Sequence, residues 1–410
     1  MWSDGFRADP YPAYAQLRAE APVYRADSPL GVPAWLITRH EDARAALTDP
    51  RLAKHPRHAP PELLELGFLT AEGESPMGVN MLFTDLSAHT RLRKLVTKAF
   101  TRRRIEALRP RVQEITDALV GAMADQDEAD LIASMAFPLP VTVICELLGV
   151  PVADREDFRE WTRATISPPL TPEGLAQRLR GRQNLEQYLG ELVARKRAGI
   201  DPGAAGDDQP DLVSALIVAV DERDQLSEQE LLGMIQLLLV AGHETTVNLI
   251  GNGMLALLSH PDQLELLRAR PELLPPAVEE LLRYDGPVER STMRFATDDV
   301  EIAGVRIPAG SVVSVVLAAA DRDHAYVPDA DRLDITRAHH GHLAFGHGVH
   351  FCLGAPLARL EGAIAIGSLL QRFPDLALAC PPEELRWRGG GPTNNLRGLE
   401  ALPLRLSPVG

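Results

Sequence analysis

The densest chemistry in this 410-residue chain lies in Phe345–Gly354, FGHGVHFCLG. One cysteine, Cys352, stands there among three glycines, two histidines and two phenylalanines. Gly346, Gly348 and Gly354 add no side chain and tolerate positive φ, so backbone can come close to something flat or bulky. A thiolate stays ionised where hydrogen-bond donors and positive potential surround it. The N–H groups of a tight loop entering a helix supply both. The stretch therefore reads as a backbone nest around one ionised sulfur, walled by Phe345 and Phe351. The plainer alternative is a glycine-rich turn holding a buried free cysteine.

Three further constellations carry charge or hydroxyl groups. Ala241-Gly242-His243-Glu244-Thr245-Thr246 places an acid beside a hydroxyl in the middle of an apolar run. Gly242 in mid-helix costs about 1 kcal/mol against alanine. It marks either a helix crossing or the close approach of a flat ligand, with Glu244-Thr245 where the helix would locally open. His89 and Arg93 are four apart on a helix and share one face. Glu280 and Arg283 form an E-x-x-R pair at helical spacing. His339, His340 and His342 have poor loop geometry for a single zinc ion.

The elements that must position these groups are mainly helical. Ser227-Glu228-Gln229-Glu230 is a capping box. It opens a helix that continues to about Ser259, roughly 32 residues and about 48 Å long. A helix this long and this apolar must run through the middle of a large domain. Other periodic runs are Glu41–Leu47, Ala88–Phe100, Ile105–Met123, Pro138–Leu148, Asp154–Ile166, Pro172–Arg197, Leu212–Val220, Leu273–Tyr284 and Pro356–Arg372. A hairpin is expected over Pro22–Arg25 and Ala34–Thr38, and strands over Val300–Ile307 and Ser311–Ala318. The reading is one domain over residues 1–410, mainly α, with β-rich parts near 22–38 and 298–318. Its helical core covers 88–284 and 355–372.

A formal net charge of −15 argues against nucleic acid as a partner. Cys145, Cys352 and Cys380 imply no disulfide framework and fit a reducing cytoplasm. No apolar run reaches the roughly 18 residues of a membrane span, so no membrane partner is expected. In this acidic chain Lys94, Lys98, Arg102, Arg103 and Arg104 form a basic cluster. It is either a solvated face or a docking site for an acidic electron carrier.

F-G-x-G-x-H-x-C-x-G resembles the cysteine loop of the cytochrome P450 family, the haem-thiolate monooxygenases, and A-G-x-[DE]-T resembles their oxygen-side motif. The resemblance runs over essentially the whole chain, from DPYPAYAQLRAE to ALPLRL, and is nearest to soluble actinobacterial members that hydroxylate macrolides and other polyketides. It implies the P450 fold, with haem b (iron protoporphyrin IX) between the long helix and the cysteine loop. Cys352 would be the iron ligand, with Phe345, Gly346 and Gly354 beside it and Ala241 and Gly242 opposite. His89, Arg93, Arg294 and His350 would meet the haem propionates. Thr245 and Glu244 would pass protons to the oxygen being activated, because O–O cleavage consumes two. Glu280 and Arg283 would be buried and joined by Arg332 as a structural brace.

The same resemblance places substrate contacts at Met77, Val79, Met81, Leu82, Ile166, Leu238, Val288, Thr292, Asn394 and Leu396. These are mostly apolar, which suits a large hydrophobic molecule. No phosphate-cradling glycine motif or flavin domain accompanies them. Electrons from NAD(P)H would therefore arrive through a separate ferredoxin or flavodoxin with its reductase, acting on a monomer. A haem carrier or a peroxide-driven oxidase is the alternative, and Glu244-Thr245 argues against it.

Overall fold

The structure is a computed structural model. It describes residues 3–28, 31–65, 78–166, 171–201, 208–221, 226–338, 341–389 and 395–406. The architecture is mainly helical with minor sheet. Contacts divide the chain into two compact units.

The first unit comprises Met1–Ala53, Arg109–Pro140 and Glu244–Gly410. It holds all twelve described strands: β1 (Val23–Ala26), β2 (Ala34–Ile37), β3 (Leu52–Ala53), β4 (Glu128–Asp130), β5 (Arg294–Ala296), β6 (Val300–Ile302), β7 (Val305–Ile307), β8 (Val312–Val315), β9 (Ala377–Leu378), β10 (Trp387–Gly389), β11 (Arg397–Leu399) and β12 (Pro403–Arg405). The largest sheet runs β1-β2-β8-β5-β3, with β2 and β8 parallel. The expected hairpin is β1–β2, with Val23 opposite Ile37.

The second expected strand pair differs. β6 turns back into β7 at Ala303-Gly304, both at positive φ. β8 pairs with β2 and β5 instead, and ends at Val315. Leu317–Ala320 is a helical turn, all four residues buried. The small side chains of Ala318 and Ala319 pack against Leu36 and Tyr14 there. Apolar content, which suggested a strand to Ala318, does not separate a buried strand from a buried turn.

The second unit comprises Lys54–Leu108 and Val141–His243. Its helices include Leu86–Ala99, Arg102–Ala107, Pro138–Leu148, Arg155–Ile166, Pro172–Ala198 and Leu212–Asp221, the third beginning in the other unit. The run expected over Ile105–Met123 is two helices, Arg102–Ala107 and Arg109–Met123. Thr101 caps the first, accepting from Arg104 N.

The long helix is Glu228–Leu258, 31 residues. Its capping box is made: Glu230 N donates to Ser227 Oγ at 3.1 Å and Ser227 N to Glu230 Oε2 at 2.9 Å. Among the described residues no helix is long and apolar enough to cross a membrane.

Candidate active site

Cys352 lies exposed, three residues before helix Ala355–Arg372, whose N-cap is Gly354. The partial positive charge of such a helix start favours a thiolate. The loop is closed by its own backbone. Cys352 N donates to Phe345 O at 2.9 Å, Gly346 N to Leu343 O at 2.7 Å, and Phe351 N to Gly348 O at 3.1 Å. Gly346 and Gly348 have φ of +72° and +75°, where a side chain would be strained. A Cβ on Gly348 would also meet Thr48 Cγ2 at 2.8 Å. Val349 and Phe351, three residues and one residue before Cys352, are 53% and 40% exposed. One soft donor, a positive helix start and exposed apolar side chains fit an iron porphyrin held through Cys352.

Arg294 is buried in β5, its terminal nitrogens on Leu52 O and Leu47 O, both at 3.1 Å. Leu47 also borders Gly348, so Arg294 and the turn carrying His350 are neighbours across one residue. In the other unit His89 is buried on helix Leu86–Ala99, with Arg93 one turn on. Burial, and then Arg93, push the His89 pKa down.

The brace behind the loop differs from expectation in one member. Arg283 donates to both oxygens of Glu280, from Nε and Nη2 at 2.8 Å. The third charge is Arg337, whose Nε lies 3.2 Å from Glu280 Oε1. Arg332 contributes only its carbonyl, which accepts from Arg283 Nη2 and Arg337 Nη2, while its side chain is exposed. Between Ala330 and Arg337 the chain follows a turn at Asp329 with φ of +49°, and Arg337, not Arg332, has its side chain on Glu280.

A second cluster was not anticipated. Glu279 accepts from Arg359 Nε and Nη2 at 2.5 and 2.8 Å, and His342 Nε2 lies 3.2 Å away. Burial raises the Glu279 pKa, but Arg359 and His342 outweigh it and hold it at about 2. Arg359 stacks over the Phe345 ring at 4.5 Å. His342 thus serves an ion pair, His339 and His340 lie outside the described residues, and among the described residues no cluster of three or more His, Cys, Asp or Glu side chains could hold a metal ion. Arg359 sits two turns beyond Cys352, a spacing that alone offers no clue to Glu279.

On the long helix, a Cβ at Gly242 would meet Ile144 Cδ1 at 2.9 Å, within the second unit. This supports the helix-crossing reading of Gly242. The helix continues unbroken through Glu244-Thr245, so the expected opening is absent. Ala241 is exposed. Glu244 Oε1 lies 3.4 Å from Arg388 Nη1 on β10, a partner that sequence reading missed.

Of the substrate-contact positions, Val288 and Leu396 form a β-bridge. Thr292 lies between them and β5, half-buried. In the second unit Met81 N donates to Met234 Sδ at 3.2 Å on the long helix, one turn before Leu238. Val79 covers Gly233, and Leu82 is half-buried. Met77 and Asn394 lie outside the described residues, and only the backbone of Ile166 is described.

The chain belongs to the cytochrome P450 family, whose model matches residues 36–377. It is a haem-dependent, O2-using monooxygenase. It is 53% identical over 403 residues to the cytochrome P450 monooxygenase PikC of Streptomyces venezuelae, covering 98% of this chain and 92% of that one. It is 44% identical over 410 residues to the 6-deoxyerythronolide B hydroxylase of Saccharopolyspora erythraea, covering 98% of each. Among solved structures, tirandamycin C-bound P450 monooxygenase TamI superposes with a TM-score of 0.87 at 43% identity, covering 99% of each chain.

Proposed function

We propose that the protein hydroxylates a C–H bond of a large, mostly hydrophobic natural product of the macrolide or polyketide kind. The observation that carries this reading is the exposed Cys352 at a helix start, flanked by Val349 and Phe351. Relatives that are macrolide and polyketide hydroxylases support the substrate class. Bound haem supplies oxidising power from O2 and two electrons. Cys352 holds the iron and raises its electron density. His89, Arg93, Arg294 and His350 offer cationic or neutral donors to two propionates. Thr245 and Glu244 hold and pass protons on the oxygen side. Val79, Met81, Leu82, Leu238, Val288, Thr292 and Leu396 orient the substrate, together with Met77, Ile166 and Asn394.

Electrons come from NAD(P)H through a ferredoxin or flavodoxin and its reductase. Lys94, Lys98, Arg102 and Arg103 are exposed and suit an acidic partner. The absorption spectrum of the reduced carbonyl complex tests the assignment. A strongly red-shifted Soret band is expected, lost in Cys352→Ser. A haem-loaded wild type lacking that band rejects Cys352 as ligand. Spin-state shifts on adding 6-deoxyerythronolide B or tirandamycin C test the substrate class. Shifts produced by steroids and by neither polyketide reject it.

A further inference from the structure

Phe345 precedes Cys352 by seven residues and Arg359 follows it by seven. The fold brings the two together, with the Arg359 guanidinium carbon 4.5 Å from the centre of the Phe345 ring. The Phe345 carbonyl accepts from Cys352 N at 2.9 Å. Its ring meets that of Phe351, the neighbour of Cys352, edge-on at 6.2 Å. A cation is thus held on an aromatic wall of the cysteine loop.

That cation carries its own counter-charge. Arg359 grips both oxygens of Glu279, and His342 Nε2 lies 3.2 Å from the same carboxylate. His342 Nδ1 accepts from Ala344 N at 3.2 Å, so the hydrogen on Nε2 faces Glu279. The groups that donate to Glu279 also touch Phe345, the His342 ring standing 5.8 Å from it. Helix Leu274–Asp285 fixes Glu279 and helix Ala355–Arg372 fixes Arg359, both within the first unit. The Arg359 and Glu279 side chains are 36% and 23% exposed, too wet for the pair to serve as a strong brace.

One-electron reduction of a thiolate-bound iron adds one negative charge to the centre. A nearby cation favours the reduced form and a nearby anion the oxidised form. The path from Arg359 to the loop runs through the half-buried Phe345 ring, where charges are screened less than in water. We propose that the Arg359–Glu279 pair sets the reduction potential of the iron held by Cys352, Arg359 raising it and Glu279 lowering it. The inference rests on the reading of Cys352 as the iron ligand. Arg359 and Glu279 act through Phe345 and are positioning residues. The electron comes from an external donor and goes to the iron. The pair keeps its charges throughout, and no bond of the protein forms or breaks.

Spectroelectrochemical titration of the haem-loaded, substrate-free enzyme tests this, with dithionite as reductant. Arg359→Met leaves Glu279 without its cation. It should shift the ferric–ferrous equilibrium about fivefold towards ferric, or about 40 mV at 59 mV per tenfold. Glu279→Gln leaves Arg359 without its anion and should move the equilibrium about as far the other way. The double variant should fall between the two. Arg359→Lys keeps the charge but loses the planar fork, and should stay within about twofold of wild type. The red-shifted reduced-carbonyl band verifies that each variant is folded around a thiolate-bound haem. Shifts of the same sign in both single variants, or a lysine variant as far displaced as the methionine one, would mean that the pair only shapes the loop, and overturn the proposal. Wild-type potentials in all variants overturn it as well. A haem-loaded wild type without the red-shifted band rejects the reading of Cys352 itself.

Discussion

Glu280 and Glu361 are equally buried carboxyls in opposite surroundings. Glu280 sits behind the cysteine loop at 3% exposure, and Glu361 lies on the helix after Cys352 at 1%. Glu280 receives two guanidinium hydrogen bonds from Arg283, a third from Arg337 and a fourth from Asp334 N. Among the described residues Glu361 Oε2 finds no hydrogen-bond partner, and desolvation alone pushes the group's pKa up to about 8. The low-dielectric interior accepts charge where oppositely charged donors surround it, and neutralises the group where they do not. The first arrangement ties a helix to a loop. Arg283 also holds the carbonyls of Asp321, Ala330 and Arg332, and Arg337 those of Pro328 and Asp329. The brace is thus a junction for the chain leading into the cysteine loop.

Removing one side of the brace breaks the comparison most severely. Arg283→Met leaves the Glu280 carboxylate buried with reduced compensation and takes the donor from the carbonyls of Asp321 and Ala330, while the Arg332 carbonyl keeps Arg337. Such a loss costs about 3–5 kcal/mol. Chemical denaturation of the variant should show it, together with poor haem retention. A stability within about 1 kcal/mol of wild type would mean that Arg337 alone sustains the charge.

Glu361→Gln sharpens the other half. The folded carboxyl keeps its proton up to about pH 8, while the unfolded one loses it near 4.5. Between those values the unfolded state binds fewer protons, so stability falls as pH rises. The fall is complete above about pH 8 and absent below 4.5. At 1.36 kcal/mol per unit, the rise from 4.5 to about 8 amounts to about 5 kcal/mol. Urea unfolding of wild type and variant at pH 5 and pH 8.5 should give a wild-type loss that the glutamine variant lacks. Parallel losses would show that Glu361 ionises inside the fold.

Motif density explains what could be read before any coordinates. FGHGVHFCLG is dense in restricted positions, since the turn needs glycine at positive φ at Gly346 and Gly348 and only cysteine offers a thiolate. The Ser227–Glu230 capping box is equally local, and the long helix begins where it says. Glu280 and Arg283 are one helical turn apart, so their pairing follows from spacing. The third member of the brace does not. Residues 328–337 have no period, and they include a turn at Asp329 with positive φ, so spacing does not say which arginine arrives at Glu280. Arg359 meeting Glu279 from 80 positions away, and Arg388 meeting Glu244 across a three-residue strand, leave no trace in either neighbourhood.

Glu279 stands between the two extremes, and its substitution should have the smallest effect. Its side chain is 23% exposed and it pairs with Arg359 and His342. Solvent reaches the pair, so Glu279→Gln should cost only about 1 kcal/mol at neutral pH. The sign of its pH dependence is opposite to that of Glu361. The folded carboxyl titrates at about 2, below its usual 4.5. Its contribution is therefore complete above 4.5 and is lost as pH falls towards 2. The stability gap between wild type and variant should be widest near neutrality and close as pH falls from 4.5 towards 2. A gap that persists unchanged at pH 2 would mean that hydrogen bonding to Arg359 survives protonation and that charge contributes little. A gap as large as that of Arg283→Met would mean that the Glu279 cluster, through Arg359 stacked on Phe345, is as much a junction for the cysteine loop as the buried brace.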